Sequence, residues 1–341
     1  MIGLFRPQAR YRRSWSGDVL VLSPGDIPTV DFYLRSRASR SSCRVRYTVG
    51  SLSEDESPPA GTFVVIVRHA AADELRWLQR HASAFCGAAY LMDDDIPAAW
   101  QCRDVPLDYG LWTSARYWSI AGRLAALCDR VWVSTSELKR RYAASQPRVV
   151  PPSINVDEIV PAQQGCRRWG YHGTRIHHRE LRWLVPLVER VHETLPKVNF
   201  EVFGGPAVQR LFAQLSRVTV LPPRSWHQYL DYCRGNRLAV GVAPLLPGRF
   251  NEARSHVKLF DMARCGALGV FPGDAPYAEP LSDAGCRLVR GDVRAWAEEI
   301  CGLFADESQR LANYETTLAW IRSHNDYQLE ALIEEAPQAR Y

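Results

Sequence analysis

A run of polar and charged residues, FNEARSHVKLFDMA over 250–263, lies between two apolar segments that read as buried strands. Arg254, Lys258 and Asp261 recur at helical spacing, so a helix beginning near Ser255 places them on one face. The free N–H groups at a helix N-terminus favour an anion. Ser255 and Lys258 could therefore hold a diphosphate, and Asp261 could accept a hydrogen bond from a ribose hydroxyl. The same spacing also fits an N-cap followed by a solvated salt-bridge face.

A second stretch, GYHGTRIHHREL over 170–181, places a glycine turn at the end of an apolar run. Gly173 allows the backbone to come close to a phosphate, because a glycine turn carries no side chain that would block it. Arg175 and His177 add positive character to the same turn. By itself this pattern is a weak signal for a phosphate site.

Three consecutive aspartates, Asp93, Asp94 and Asp95, follow the apolar run at 87–92. Clustered carboxylates raise one another's pKa, which suits one of them to proton transfer or to stabilising an oxocarbenium ion. A divalent-metal site and an acidic cap for the following helix are the alternatives.

Arg68 and His69 end another apolar run, at 63–67, and we expect them to point toward the same edge. They could contact a pyrophosphate or an acceptor, and a plain surface pair is equally compatible with the sequence. Most of the eleven tryptophans fit core patterns, whereas Trp100 is a candidate platform for a sugar ring.

The elements that must position these residues alternate between strands and helices along the whole chain. This alternation predicts parallel sheets flanked by helices, with ligands bound beyond the C-terminal ends of the strands. The predicted strands are at 18–24, 43–49, 63–67, 87–92, 130–135, 165–173, 197–204, 218–223, 237–244, 267–272 and 286–291. The predicted division is a first domain at 1–150, a proline-containing linker at 151–165, a second domain at 166–306 and C-terminal helices at 307–341.

The composition of the 341-residue chain is that of an ordinary globular protein, with 46% hydrophobic and 23% charged residues. A formal net charge of +5 favours an anionic ligand without requiring nucleic acid. The nine cysteines form no CxxC pair, so we expect buried reduced thiols in a cytoplasmic protein. The N-terminal segment, MIGLFRPQARYRRSW, interleaves arginines with aromatic residues, and either a peripheral contact with the inner membrane face or a plain solvated segment fits it.

The donor-site segment of the retaining GT-B glycosyltransferases, the group 1 or family 4 set, resembles the stretch from Phe250 to Val270. One branch of that family carries F-N-x-x-[KR]-S-x-x-K-x-x-[ED]-x-x-x-x-G, and this sequence matches every fixed position of it. The turn at 170–181 is similar to the family's G-T-x-S-H-x-x-D turn, with Ile176 in place of the serine. A sugar-contacting glutamate of the more common branch is replaced by Ala253, so the resemblance does not identify the sugar.

The resemblance implies two facing Rossmann-like domains, with a nucleotide sugar bound to the second and an acceptor bound to the first. Together with the spacing arguments, it gives these donor-binding candidates: Gly173, Thr174, His177, Asn251, Arg254, Ser255, His256, Lys258 and Asp261. The catalytic candidates are Asp93, Asp94, Asp95, Arg254 and Lys258, and the acceptor-binding candidates are Arg68, His69 and Trp100. The family's chemistry generally needs no metal, so no cofactor is expected.

The expected function is transfer of a sugar, with retention, from a nucleotide sugar to a glycan, lipid-linked or other surface-polysaccharide acceptor. A nucleotide-sugar epimerase on the same fold would need no separate acceptor. A non-catalytic nucleotide-sugar-binding partner would bind the donor without turning it over. No basic stripe long enough to follow a nucleic-acid duplex is present in the sequence.

Overall fold

Two six-stranded parallel sheets, each flanked by helices, form the architecture. A computed structural model of the chain describes residues 3–49, 52, 57–173, 175–325 and 327–334. The predicted α/β class is confirmed. In the middle of the first sheet a strand is buried along its whole length, TFVVIV, as expected where helices cover both faces.

The first sheet belongs to the first half of the chain. Its strands are β1 (Asp18–Ser23), β2 (Arg44–Val49), β3 (Thr62–Val67), β4 (Phe85–Met92), β5 (Arg130–Val133) and β6 (Arg148–Val149). Its helices are α1 (Pro28–Val30), α2 (Ser36–Ala38), α3 (Ala72–Arg80), α4 (Leu107–Leu127) and α5 (Ser136–Arg141). A π-helical turn, Asp31–Arg35, joins α1 to α2, and shorter 3₁₀ turns lie at Ala82–Ala84, Ile96–Gln101 and Ala143–Ser145.

The second sheet belongs to the second half of the chain. Its strands are β7 (Arg168–Tyr171), β8 (Asn199–Phe203), β9 (Val218–Leu221), β10 (Val240–Val242), β11 (Leu268–Pro272) and β12 (Arg287–Val289). Its helices are α6 (His178–Thr194), α7 (Pro206–Phe212), α8 (Trp226–Gly235), α9 (Val257–Arg264), α10 (Ala278–Asp283), α11 (Val293–Ala305), α12 (Glu307–Ser323) and α13 (Leu329–Glu334). Further 3₁₀ turns lie at Val156–Glu158, Arg175–His177 and Asn251–Ala253.

The strand orders place one topological switch point in each sheet. The second sheet runs β12-β11-β10-β7-β8-β9, the order of a Rossmann domain, and reverses between β7 and β10. The first sheet runs β2-β1-β3-β4-β5-β6, a flavodoxin-like order that reverses between β1 and β3. Ligands in such sheets bind beyond the strand ends at these points.

Two segments of the chain cross between the domains and are bonded to each other. The backbone N–H of Ile154 donates to Oδ1 of Asn325 at 2.9 Å, and the Asn325 amide donates back to the Ile154 carbonyl. Beyond the second crossing, α13 returns to the first domain, where Oε1 of Glu330 accepts from the hydroxyl of Ser42 at 3.0 Å. Both crossings therefore meet at one place.

Apolar and ionic contacts also join the facing sides of the two domains. Phe32, in the π-helical turn, packs edge-on against Trp226 of α8 with ring centroids 5.5 Å apart. The guanidinium of Arg264, at the end of α9, is buried between the carboxylates of Asp31 and Glu158. Residues of both domains therefore contact each other through apolar and ionic groups on one side of the cleft.

The aromatic residues of the N-terminal segment turn toward the protein. Phe5 is buried against Tyr90, with ring centroids 5.5 Å apart, and the Tyr11 hydroxyl donates to the carbonyl of Leu127. Arg6, Arg10, Arg12 and Arg13 are exposed. Among the described residues, no helix is both long and apolar enough to cross a bilayer.

Candidate functional site

A cavity of about 530 Å³ lies between the two domains, beyond the C-terminal ends of both sheets. It touches the segments that follow β1, β3 and β4 on one side and β7, β8 and β10 on the other, so both switch points open into it. Its polar lining includes Thr29, Tyr33, Arg68, Asp93, Asp94, His172, His177, Arg224, Arg254, Ser255, Lys258 and Asp261.

Helix α9 presents its first turns to this cavity. Its N-cap is His256, one residue later than expected, and this residue makes no side-chain capping bond. Ser255 instead shares a hydrogen bond of 2.8 Å with the hydroxyl of Tyr33 in the first domain. The Lys258 ammonium lies 3.0 Å from Oδ2 of Asp261 and donates to the backbone carbonyl of His172. The predicted polar stripe thus faces the cleft.

Arg254 precedes α9 and reaches into the cavity beside His177. Its Nη1 lies 3.1 Å from Nε2 of His177, and its guanidinium stacks over the Phe250 ring at 5.0 Å. Burial, together with the positive charges of Arg254 and Lys258, holds the pKa of His177 well below its ordinary value. His177 is therefore neutral near pH 7, and its Nε2 can accept from Arg254. The buried Nε of Arg254 has no hydrogen-bond partner among the described residues.

Two glycine turns at the ends of β7 and β8 line the cavity. A Cβ at Gly173 would overlap the ring of Tyr171, and one at Gly204 would overlap Val208, so a larger residue at either position must displace a neighbouring side chain. The turns therefore present backbone without side chains at these two positions, as a phosphate-binding turn requires. Thr174, predicted for the same turn, lies outside the described residues.

The opposite wall carries Arg68, Asp93 and Asp94 from the ends of β3 and β4. Arg68 Nε lies 3.0 Å from Oδ1 of Asp93, and its Nη2 lies 2.6 Å from Oδ2 of Asp94. The Thr29 hydroxyl donates to Oδ2 of Asp93 at 2.6 Å. Burial raises the pKa of Asp93 against the lowering effect of Arg68, and Asp94 raises it further. The charged side chains of this wall therefore form ion pairs with one another.

The backbone of Arg68 is held in the left-handed region, with φ of 60°. Its carbonyl accepts a 2.8 Å hydrogen bond from the hydroxyl of Tyr90, which is fully buried. A non-glycine residue adopts this conformation only where its surroundings fix it. The conformation turns the guanidinium from the strand end toward the two carboxylates.

Asp95 and Asn251 are placed away from the cavity. Asp95 is completely buried, where its carboxylate accepts from Arg141 at 2.7 Å and from the Tyr142 hydroxyl. The Asn251 side chain donates to Oε1 of Glu180 at 2.8 Å and to a backbone carbonyl of its own loop. Both residues support the loops that carry the site and do not line it.

His69, Trp100 and His256 are also outside the cavity lining. Burial and the charge of Arg116 lower the pKa of His69 to about 4, and its Nδ1 is buried without a hydrogen-bond partner among the described residues. Trp100 lies on the outer surface, in the 3₁₀ turn before α4. His256 packs against Phe260 and Trp320, and burial lowers its pKa to about 4.

Several lining residues carry no signal that sequence patterns could show. Thr29 and Tyr33 belong to an amphipathic helical stretch, and Trp226 and Tyr229 sit in α8 at spacing typical of core positions. His172 adjoins the predicted glycine turn, and its neighbours in space come from other elements. Only the convergence of separate elements marks these side chains as part of a site.

Comparison with known proteins rests on structure, because no model of a protein family matches the sequence and no curated protein matches it. Sucrose-phosphate synthase from Thermosynechococcus elongatus matches with a TM-score of 0.61 and 14% identity, over 94% of this chain and 96% of that chain. Anabaena HepE, in complex with UDP and glucose, matches with a TM-score of 0.57 and 10% identity, over 91% of this chain and 95% of that chain. The chain has the GT-B fold.

A third GT-B structure extends beyond this chain. A mutant of S. aureus TarM, in a complex that includes UDP, matches with a TM-score of 0.56 and 10% identity over 81% of this chain. The match covers only 54% of TarM, so this chain corresponds to about half of that protein. The predicted arrangement of two facing Rossmann-like domains is confirmed by the GT-B fold.

Proposed function

We propose that this GT-B chain is a retaining glycosyltransferase that moves a sugar from a nucleotide sugar to a glycan or lipid-linked acceptor. The observation that carries the proposal is the placement of Arg254 and Lys258 at the start of α9, both facing the interdomain cavity. The Arg254 guanidinium lines this cavity and forms no ion pair with the described residues, so its charge is available to an anionic ligand.

The donor diphosphate is proposed to lie between Arg254, Lys258 and the bare backbone at Gly173. Two cations and the N-terminal N–H groups of α9 favour an anion of this size. Asp261 lies one turn deeper and lines the same cavity. Its carboxylate is proposed to accept a hydrogen bond from a ribose hydroxyl.

The proposed reaction breaks the bond between the anomeric carbon and the diphosphate oxygen and forms a bond from that carbon to an acceptor hydroxyl oxygen. The proton of the acceptor hydroxyl passes to the departing diphosphate. Negative charge grows on the departing diphosphate, where Arg254 and Lys258 stabilise it electrostatically without a metal. Asp93 and Asp94 lie on the facing wall, where their carboxylates can stabilise the positive charge that develops on the sugar ring. The acceptor then approaches from the first domain, beside Arg68.

Thermal unfolding with nucleotides tests the donor assignment. We would compare UDP first, because the HepE and TarM structures hold UDP, and then GDP, dTDP, ADP and CMP, each with its sugar conjugates. A ligand at 100 times its Kd stabilises by about 2.7 kcal/mol. A rise in the unfolding temperature with one nucleotide, measured with EDTA in both the nucleotide sample and its reference, supports metal-independent donor binding. No shift with any of them contradicts the proposed donor site.

We further propose that α4 rests on an anionic membrane surface, which would place a lipid-linked acceptor near the cleft. Its outer side exposes Leu107, Leu111, Trp112 and Trp118, with 69% and 58% of Leu107 and Trp112 accessible. Arg116 stacks over the Trp112 ring at 4.4 Å, so cationic and aromatic groups lie side by side. Tryptophan and arginine together suit the boundary between anionic headgroups and acyl chains.

Co-sedimentation with vesicles tests the membrane contact. Vesicles rich in phosphatidylglycerol should bind the protein, and the double change Leu111→Ser, Trp112→Ser should reduce that binding at least tenfold. Tyr327→Ser removes an exposed aromatic ring elsewhere and serves as the matched control. Equal binding of both variants would show that α4 is not the contact.

A further inference from the structure

Four donor atoms converge in a buried space directly beneath the cleft. His172 follows β7, Tyr229 and Cys233 lie on α8, and Cys265 ends α9. The Cys233 and Cys265 sulfurs are 3.4 Å apart, and Nδ1 of His172 lies 4.0 Å from the Cys265 sulfur. No two of these ligand atoms of His172, Cys233 and Cys265 are more than 4.8 Å apart. The Tyr229 hydroxyl adjoins the group, 3.1 Å from Nδ1 of His172.

The other nitrogen of His172 is already oriented as metal sites require. Its Nε2 lies 3.0 Å from Oε1 of Glu201, a residue that is completely buried on β8. Glu201 is in turn held by Arg168. A histidine that binds a metal typically donates its second ring N–H to a carboxylate, which fixes its tautomer and its direction. This contact points Nδ1 at the two thiols.

We propose that Cys233, Cys265 and His172 Nδ1 bind a thiophilic divalent cation of the Zn²⁺ class, with the Tyr229 hydroxyl or a water in the fourth position. A tetrahedral zinc with bonds of about 2.3 Å to sulfur and about 2.0 Å to nitrogen separates two sulfurs by roughly 3.8 Å and sulfur from nitrogen by roughly 3.5 Å. The distances of 3.4 and 4.0 Å lie within about half an ångström of these values. The remaining pair, the Cys233 sulfur and Nδ1 of His172, is no more than 4.8 Å apart, so the ligands move slightly inward when the ion binds. Binding releases two thiol protons to solvent and leaves a neutral centre.

A disulfide between Cys233 and Cys265 is the competing fate of these sulfurs. Cys233 and Cys265 are each 1% exposed, which shields both sulfurs from oxidants. A disulfide leaves the orientation of His172 by Glu201 unexplained, whereas a metal ion uses all three side chains.

The proposed ion goes beyond the proposed transfer reaction and has no part in its chemistry. It would tie α8 and α9 to the end of β7, the elements that hold the cavity lining in register. Lys258 donates to the backbone carbonyl of His172, so the metal ligand and the diphosphate-binding candidate are one hydrogen bond apart. The ligands are distant along the chain and form no CxxC pair, which is why the sequence predicted only reduced thiols.

Cobalt substitution of the reduced full-length protein tests the site. After chelation of any resident metal, titration with Co²⁺ alone should produce a thiolate-to-cobalt charge-transfer band and the visible bands of tetrahedral cobalt, saturating at one ion per chain. Zn²⁺ should displace the signal. The absence of a charge-transfer band in the reduced wild-type protein overturns the proposal, and this result needs no variant.

Variants identify the ligands. Cys233→Ala and Cys265→Ala should each abolish the charge-transfer band or weaken Co²⁺ binding at least 100-fold, whereas Cys286→Ala removes another buried thiol and should change nothing. Glu201→Gln should weaken binding about 10- to 100-fold, the range for such supporting carboxylates. A band that survives both cysteine changes places the metal elsewhere and refutes the assignment. Nucleotide-induced stabilisation is measured separately, so failure of the metal site and failure of the donor site are distinguishable.

Discussion

The two walls of the cleft pair their cations differently. On the first domain, Arg68 is paired with both Asp93 and Asp94. On the second domain, Lys258 pairs with Asp261 at 3.0 Å, whereas the Arg254 guanidinium forms no ion pair with the described residues. A wall whose cation is neutralised by carboxylates suits a neutral ligand, whereas a wall with an unpaired cation suits an anionic one. The difference predicts that nucleotide affinity depends on the second domain.

Replacing Lys258 should have the largest effect on sugar transfer and on nucleotide binding. Lys258→Ala deletes one of two cations proposed to stabilise the departing diphosphate, so kcat/KM for sugar transfer should fall about 100- to 1000-fold. Nucleoside diphosphate binding, measured by calorimetry, should weaken by about 1–3 kcal/mol. Lys197→Ala is the matched control, because Lys197 is an exposed lysine of the same domain. Unchanged affinity in the Lys258 variant would remove the phosphate assignment.

The ion pair between Asp31 of the first domain and Arg264 of the second should give the next largest effect, on the free energy of unfolding. Burial raises the pKa of Asp31 to about 6, against the lowering effect of Arg264. Because the pKa is higher in the folded state, this group favours folding at low pH, and the contribution is lost as the pH rises through about 6. Asp31→Asn should therefore become more stable relative to wild type, by up to about 3 kcal/mol, as the pH rises from 4 to 7.

Urea unfolding of both proteins at several pH values measures this difference. Asp26→Asn is the control, since Asp26 forms an exposed pair with Arg35 in the same region. A difference between Asp31→Asn and wild type that does not vary with pH would show that Asp31 ionises normally.

The smallest effect is expected on the paired wall. Asp93→Asn removes a carboxylate from the Arg68 cluster and leaves a slightly more positive cavity. Nucleoside diphosphate binding should therefore tighten by less than about 0.5 kcal/mol, in line with changes remote from a contact. Calorimetry alongside Lys258→Ala checks this. A large loss of affinity would mean that the first domain also binds the diphosphate, and the contrast between the walls would fail.

Sequence patterns predicted the fold because strand and helix periods are local properties. Each apolar run of a parallel sheet is visible without knowledge of its neighbours. The stripe on α9 was predictable for the same reason, since helical spacing alone brings Lys258 and Asp261 to one face. The order of the strands and the π-helical turn before α2 depend on long-range packing and left no such pattern.

Residue type alone did not distinguish site residues from supporting ones. Asp93, Asp94 and Asp95 are chemically identical, yet the first two face the cavity and Asp95 turns inward to Arg141 and Tyr142. The direction of a side chain just beyond a strand end is set by the loop it joins, and this loop is fixed by partners far along the chain. Tyr33 could not be recognised as a site residue from the sequence, because its hydrogen-bond partner Ser255 lies in the other domain.

The mutual hydrogen bonds of Ile154 and Asn325 have a mechanical consequence. Because the two crossings are bonded to each other, they form one connection between the domains instead of two independent ones. The bonds of Arg264 to Asp31 and Glu158 add a second connection. Any change in the width of the cleft must therefore either leave these contacts in place or break them.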